Sequence, residues 1–375
     1  MKFVVSSTDL LSHLQAISRV ISNKSTLPIL ENFLFDLKDN KLVLTASDLE
    51  VTMVTSLELD NSDGEGIIAL PSRILLETLK KFPEQPLNFD IDMASFAVNI
   101  VTEKGKFSIV GQNGEDFPEL PNLDADKSSS LQVEVGLLEV GINKTLFATA
   151  DDELRPVMNG ILVELSPENM TFVASDSHKL VRYRRLDAKT EFSGSFILPK
   201  KPAGLLKNVL PKESGEVAIE FDDKNAFFTL PNYKLVCRLV EGNYPSYNAV
   251  IPQDNPYKVI IDRSEFHNTL GRVSIFSNQA SNLVKLKMTA GEMVVSAQDI
   301  DFSISAHERL SCQYEGDEME IGFKSGFLAD ILDNLNSSDV ILELSDPSRA
   351  GILLPFENGE DEEELMLLMP MMINV

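Results

Sequence analysis

Hydrophobic residues follow two periods along the chain, one helical and one strand-like. Near the N-terminus Leu11, Leu14, Ile17, Val20 and Ile21 are spaced by three or four residues, which is the period of an amphipathic helix. Segments of this kind predict six helices: Leu10–Ile21, Pro71–Phe82, Leu137–Thr149, Pro199–Leu210, Phe266–Phe276 and Lys324–Leu335.

Between these segments the pattern changes to an alternation of apolar and polar residues, which is typical of half-buried strands. It predicts eight short strands: Lys41–Ala46, Phe96–Thr102, Lys106–Val110, Thr171–Ala174, Ala226–Leu230, Leu235–Leu239, Glu292–Ala297 and Phe302–Ala306. The order helix, strands, helix, strands recurs, which suggests units built from two similar halves.

One passage occurs three times, as Pro28–Asp48, Pro156–Asp176 and Ser281–Asp299. The closing aspartates are 128 and 123 residues apart, which is the size of a domain rather than of a stacked repeat. The sequence therefore predicts an α+β protein with three tandem copies of one domain, each with two helices packed on antiparallel sheets. Polar junctions at Asn122–Ser130 and Pro252–Pro256 place the domains at residues 1–126, 127–254 and 255–375.

Composition predicts a cytoplasmic protein without a membrane partner. The chain has no apolar run of about 18 residues, and its start lacks the apolar core of a signal peptide. Its two cysteines, Cys237 and Cys312, lie in different predicted domains and lack metal-ligand spacing, so free thiols in a reducing compartment are expected.

The net charge of −25 by itself argues against nucleic acid as a partner, but the charge is unevenly distributed. Thirteen Lys or Arg and seven Asp or Glu lie in six windows around the helices: 9–24, 71–83, 136–150, 198–212, 262–277 and 323–335. These charges could simply be solvated. We favour the alternative that the helices face a polyanion such as DNA, weakly and without sequence preference, while the acidic remainder repels it.

Motifs of known catalytic chemistry are missing from the sequence. It contains no GxxxxGK[ST] or GxGxxG phosphate loop, no HExxH and no Cys/His cluster with zinc spacing, so neither a cofactor nor a metal is expected. Asp176, Ser177 and His178 superficially resemble part of a hydrolase triad, but adjacent residues rarely adopt that geometry. A turn closed by Asp176 is the favoured interpretation, since the same Asp recurs at 48 and 299.

The C-terminal region combines two unusual segments. Glu357–Glu364 is an acidic run, expected to be a solvated loop, and Leu365–Leu367 is expected to form a buried final strand. Met369, Pro370 and Met371 follow, and flexible methionine side chains suit surfaces that accept several partners. We interpret them as part of an apolar patch that docks peptides.

Six motifs in order across the chain closely resemble the bacterial DNA polymerase III beta subunit, the replicative sliding-clamp family. They are KSTLPIL at 24–30, LTASD at 44–48, RPVMNG at 155–160, VASDSHKL at 173–180, EGNYPSY at 241–247 and MPM at 369–371. The resemblance implies a head-to-tail homodimer of six domains that closes into a ring around double-stranded DNA. It also implies a non-catalytic processivity factor that tethers the DNA polymerase III alpha subunit, the clamp loader and other proteins carrying clamp-binding motifs.

The resemblance implies functional residues position by position. It assigns a peptide groove to Met158, Ser175, Ser177, His178, Lys179, Leu180, Pro245, Val250, Ala350, Leu367, Leu368, Met369, Pro370 and Met371. It assigns DNA contacts to Lys24, Arg73, Lys200 and Lys201, and a dimer seam to Phe107, Ile109, Ile275 and Phe276.

The chain departs from the family pattern in three places. Gly is usual at Ser177 and Arg at Lys179, and Pro156 and Val157 stand where some members carry aromatic residues that contact DNA. The alternative to a clamp is a cytoplasmic scaffold of three repeated domains, which explains the repeats and the acidity but not the local excess of Lys in residues 198–212.

Overall fold

The computed structural model describes residues 1–22, 27–124 and 126–373. Its contacts divide the chain into two compact units, the first formed by Met1–Glu139 with Lys201–Leu239, the second by Val140–Lys200 with Val240–Val375. The predicted central domain contributes strands to the sheets of both units. The domain boundaries drawn from sequence stay a prediction.

Six α-helices occur in the described ranges, as the hydrophobic period predicts: α1 Ser7–Ser18, α2 Ser72–Leu79, α3 Val135–Thr145, α4 Lys200–Val209, α5 Arg263–Ser274 and α6 Ser325–Asn334. Side chains fix two of the starts, since Ser6 accepts the N–H of Asp9 and Asp262 accepts that of Glu265. The predicted ends were too late. Val20 is fully buried but lies beyond α1, so its apolar character reports burial and not helix.

In the part of the chain that the structure describes, short 3-10 helices occupy six connections: Pro28–Glu31, Gly114–Asp116, Leu146–Ala148, Pro156–Met158, Leu210–Lys212 and Tyr247–Ala249.

The first unit contains two sheets, antiparallel throughout. In spatial order, the larger consists of Gln112–Asn113, Gly66–Pro71, Asn32–Lys38, Lys41–Ser47, Val51–Glu58, Tyr233–Arg238, Asn225–Thr229, Glu216–Phe221 and Ser129–Glu134. The smaller consists of Ser62–Asp63, Lys2–Ser6, Pro86–Asp92, Ala97–Val101 and Lys106–Val110.

The second unit repeats this plan. In spatial order, its larger sheet consists of Gly194–Pro199, Gly160–Leu165, Met170–Ser175, Lys179–Arg185, Glu362–Leu368, Gly351–Pro355, Asp339–Leu344, Tyr257–Asp262 and Gln313–Tyr314. The smaller consists of Ile304–Ser311, Glu292–Asp299, Leu283–Thr289 and Met319–Lys324.

Each larger sheet is joined at its middle by one antiparallel pair of strands from successive repeats. In the first unit Val51–Glu58 pairs with Tyr233–Arg238, and in the second Lys179–Arg185 pairs with Glu362–Leu368. The smaller sheets have matching edges without such a partner among the described residues, namely Lys106–Val110 and Ile304–Ser311.

Two strand predictions needed correction. The strand expected at Phe302–Ala306 begins at Ile304, because Ser303 has a left-handed backbone with φ of 54°. The acidic run is not wholly a solvated loop, since the last strand begins at Glu362 and the side chain of Glu364 is buried against Lys144.

Candidate functional site

The repeated aspartates close turns, as the sequence predicts. One carboxylate oxygen of Asp176 accepts the backbone N–H groups of His178 and Lys179, each at 2.9 Å. The equivalent bonds run from Glu50 and Val51 to Asp48, and from Asp301 and Phe302 to Asp299. Asp176 therefore orients backbone and not an imidazole, while the ring of His178 stacks on Phe327. This geometry leaves no support for the hydrolase interpretation.

A cavity of about 360 Å³ lies beside this turn in the second unit. Its wall combines the pair of strands that joins the larger sheet with residues of the segment 244–250. Ten of the fourteen residues assigned to the groove line it: Met158, Ser175, Ser177, His178, Lys179, Leu180, Pro245, Val250, Leu367 and Met369. The structure thus brings together residues that are more than 200 positions apart in sequence.

The other four assigned residues lie outside the cavity lining. Ala350 packs in the same apolar cluster as Leu180 and Leu367. The side chain of Leu368 is buried in the core on the other face of the sheet, because neighbouring residues of a strand point to opposite faces. Pro370 is half-buried, and the N–H of Met371 donates to the carbonyl oxygen of Gly322 at 2.8 Å.

Four further residues line the cavity: Arg155, Tyr244, Ser246 and Tyr247. All four belong to the motifs RPVMNG and EGNYPSY, so the motif positions themselves were the signal that could have identified them. Tyr247 donates its hydroxyl to Glu164 at 2.5 Å, which anchors this wall, and burial raises the pKa of Tyr244, whose hydroxyl therefore stays neutral. An apolar floor with a polar rim suits an extended peptide with an aliphatic or aromatic anchor.

The cations assigned to DNA are paired with carboxylates. Lys200 lies 2.5 Å from Asp151, and Lys201 lies 2.5 Å from Asp48, the aspartate of the first repeated turn. Arg73 is 90% exposed and contacts Glu77 at 3.1 Å. Lys24 lies outside the described residues.

The residues assigned to the dimer seam lie near the two unpaired sheet edges. Phe107 and Ile109 belong to the edge strand Lys106–Val110, while Ile275 and Phe276 follow α5. Their neighbourhoods expose further apolar side chains that sequence reasoning did not identify: Val110, Ile300, Phe302 and Ile304. Large apolar side chains exposed together mark a contact surface.

The described ranges contain neither a membrane-spanning α-helix nor a cluster of metal ligands. No α-helix there is long and apolar enough to span a membrane. No group of three His, Cys, Asp or Glu side chains there could hold a metal ion.

Beta sliding clamps of bacteria are similar to the chain over nearly its whole length. The chain is 29% identical to the beta sliding clamp of Pseudomonas putida and 25% identical to that of Bacillus subtilis, covering at least 99% of each chain. Its structure superposes with TM-scores of 0.93 and 0.92 on the DnaN sliding clamps of Pseudomonas aeruginosa and Bartonella birtlesii, both bound to griselimycin, at 26% and 28% identity and full coverage.

Family models cover nearly all of the sequence. The N-terminal, central and C-terminal domains of the DNA polymerase III beta subunit match residues 1–121, 132–246 and 248–372. These matches, with the antiparallel sheets and six helices described above, establish that the chain belongs to the DNA polymerase III beta subunit family.

Proposed function

We propose that two copies of the chain close head to tail into a ring around duplex DNA and dock partner proteins through the cavity beside the Asp176 turn. The family match over three consecutive domains carries this proposal. The partners would be the DNA polymerase III alpha subunit, a clamp loader that supplies ATP-driven opening, and other proteins with docking peptides. The place of action would be the cytoplasm.

The family is a non-catalytic processivity factor, which agrees with the expectation of a binding protein rather than an enzyme. A general scaffold without a DNA role gives no reason for this family membership.

Ring closure is supported by the pairing within each larger sheet. There, the residue three positions after the repeated Asp lies opposite a residue of the last strand of the next repeat: Val51 opposite Cys237, and Lys179 opposite Leu368. Within the described part of the chain, the third repeat offers its edge Ile304–Ser311 without a partner strand, and the first repeat offers Lys106–Val110. The same rule pairs these edges between two copies of the chain.

The rule also gives a register. Cys237 is the residue before Arg238, the last residue of its strand, which lies opposite Asn225 in the same hairpin. Ile109 is likewise the residue before Val110, the last residue of its strand, which lies opposite Ala97. Ile109 therefore corresponds to Cys237. Because Asp299 pairs with Ile304 in its own hairpin and Phe302 precedes the strand, Ile304 of one copy then lies opposite Ile109 of the other, and Ala306 lies opposite Phe107. Apolar cross-strand pairs of this kind favour association.

A charge exchange tests the register by sedimentation equilibrium at micromolar concentration. Ile109→Lys and Ile304→Glu should each shift the chain toward monomer, and the double variant should recover dimer because the new charges face each other. Phe356→Lys, at an exposed apolar residue that directly follows the strand Gly351–Pro355 of the larger sheet, is the control. A parent chain that stays monomeric argues against the ring. Failure of the double variant to recover argues only against the register.

For the groove, removal of residues 369–375 and titration with a Leu/Phe-anchored peptide is the direct test. We expect at least a tenfold loss of affinity, because Met369 forms part of the wall. Unchanged affinity would refute the placement of the groove.

For DNA, Lys200→Glu with Lys201→Glu should weaken binding to duplex at low salt, flatten its salt dependence and leave the peptide affinity intact. Both lysines already face a carboxylate, so phosphate contact must compete with Asp151 and Asp48. Weak, sequence-independent contact of this kind is compatible with sliding.

A further inference from the structure

The first unit holds a cavity of about 300 Å³ at the place that corresponds, by the internal repeat, to the groove of the second unit. Leu49 and Ser177 each directly follow a repeated Asp and line the respective cavities. The next residues, Glu50 and His178, also line them. Both cavities therefore begin at the same turn.

The walls correspond as well. Thr52 lies opposite Val236 in the first unit, as Leu180 lies opposite Leu367 in the second. Two residues further on, Arg238 and Met369 complete the rims. Glu119 and Pro121 also line the first cavity, and the chain just after them is anchored where the N–H of Asp124 donates to Asp222 at 2.9 Å.

Leu49 is strained and exposed at the mouth of this cavity. Its φ is 78°, close to the 75° of Ser177, and 53% of its surface is exposed. A bulky side chain in the left-handed region is costly, and an exposed one recovers little of that cost by burial. Glycine would suit this backbone better. The presence of a leucine here therefore suggests that its side chain serves a contact outside the unit.

The chemistry of the two cavities differs. The ionisable side chains on the rim of the Asp176 groove, tyrosines aside, are Arg155 and His178, because the ammonium group of Lys179 is buried against Asp330. The residues that line the first-unit cavity carry both signs of charge, Glu50 and Glu119 with Lys224 and Arg238, and the guanidinium of Arg238 lies 4.0 Å from Glu50. Its floor is formed by shorter side chains, since Thr52 and Val236 stand where the other has leucines.

We propose that this cavity is a second docking site, which takes an extended peptide of a partner protein with a short aliphatic side chain between an acidic and a basic residue. The aliphatic side chain would pack on Leu49 and Val236, the acidic residue would face Lys224 and Arg238, and the basic residue would face Glu119. The site extends the proposed docking function to a second class of peptide.

A phage library of random dodecapeptides, selected on the full chain and depleted on the Arg238→Glu variant, tests the site. We expect enriched peptides with the stated pattern. Synthetic copies should bind at least tenfold more weakly to Arg238→Glu and equally well to Lys41→Glu, which makes the same charge change at an exposed lysine outside the cavity. A Leu/Phe-anchored peptide in the Asp176 groove should not compete.

Absence of peptides that depend on Arg238, or complete competition by the Leu/Phe-anchored peptide, would overturn the proposal. Failure of the Leu/Phe-anchored peptide to bind at all would instead count against the first groove.

Leu49→Gly separates docking from folding. Removing the strained side chain should raise the Tm while weakening the selected peptides at least fivefold. A raised Tm with unchanged affinity would show that Leu49 does not contact the peptide, and a lowered Tm would show that Leu49 serves the fold.

Discussion

The ammonium group of Lys179 lies 2.6 Å from a carboxylate oxygen of Asp330, and its side chain is only 5% exposed. The same ammonium lies 4.7 Å from the centroid of the Phe327 ring. Leu180, the next residue, points into the apolar cluster of the groove. The strand Lys179–Arg185 therefore contributes Leu180 to the groove on one face, while Lys179 on its other face binds Asp330 of α6.

Removing Asp330 should cost more stability than removing Lys179. Asp330→Ala leaves a buried ammonium without its nearest partner, with an expected loss of about 1–3 kcal/mol. Lys179→Met keeps the packing on Phe327 and leaves a half-exposed carboxylate that water can solvate, so about 1 kcal/mol or less is expected. Urea denaturation at pH 7 measures both. The reverse order would contradict this account.

Lys144 and Glu364 form a buried pair, 2.9 Å apart and at most 10% exposed. Breaking it with Lys144→Met leaves an uncompensated carboxylate, which should cost about 3–5 kcal/mol. Lys144→Met with Glu364→Leu should restore most of that loss, because no buried charge is left. A double-mutant cycle by urea denaturation checks the coupling. Additive losses would contradict it.

The Lys144→Met variant should become more stable as the pH is lowered from about 7 toward 5. Burial raises the pKa of Glu364, and Lys144 opposes this shift in the parent chain. A carboxyl whose pKa is raised in the folded state holds its proton more tightly there than in the unfolded chain. Its contribution is therefore favourable at low pH and is lost as the pH rises through the folded-state pKa. The pH dependence of the urea midpoint, compared with the parent, is the measurement.

Two helical glycines should respond oppositely to alanine. A Cβ at Gly141 in α3 would lie 2.5 Å from ring atoms of the fully buried Phe172, so Gly141→Ala should destabilise the chain by about 1–3 kcal/mol. A Cβ at Gly204 in α4 would meet nothing within 4 Å, so Gly204→Ala should stabilise by about 0.5–1 kcal/mol. Thermal unfolding of the two variants compares the signs. Equal signs would refute the packing argument.

Gly322→Ala should displace the C-terminal segment and weaken peptide docking. The added Cβ would lie 2.8 Å from Leu283 and 3.0 Å from the carbonyl oxygen of Met371. Since Met371 pairs with Gly322 just beyond the groove residue Met369, we expect a several-fold loss of affinity for a Leu/Phe-anchored peptide. Gly326→Ala, where a Cβ meets nothing within 4 Å, is the matched control. Equal affinities of the two variants would argue against a link between tail and groove.

The six helices were predictable because each carries a regular apolar stripe, such as Leu10, Leu14 and Ile17 in α1. The ends of the helices were harder to predict, since Val20 continues the apolar pattern beyond α1 and is buried there. The repeated Asp was predictable as a turn residue, because an Asp side chain closes a turn with its own neighbouring backbone. The acidic run was predicted as a solvated loop, and this was wrong for Glu364 because its burial depends on Lys144, a partner 220 residues away.

The sequence by itself determined the helices, the threefold repeat and the turns, because each depends on residues near one another in the chain. The tertiary structure decided which repeats share a sheet, that Leu180 faces the groove while Leu368 faces the core, and that Lys179 binds Asp330. Strand pairing and the burial of charge depend on groups brought together only by folding, and periodicity along a single chain carries no record of those partners.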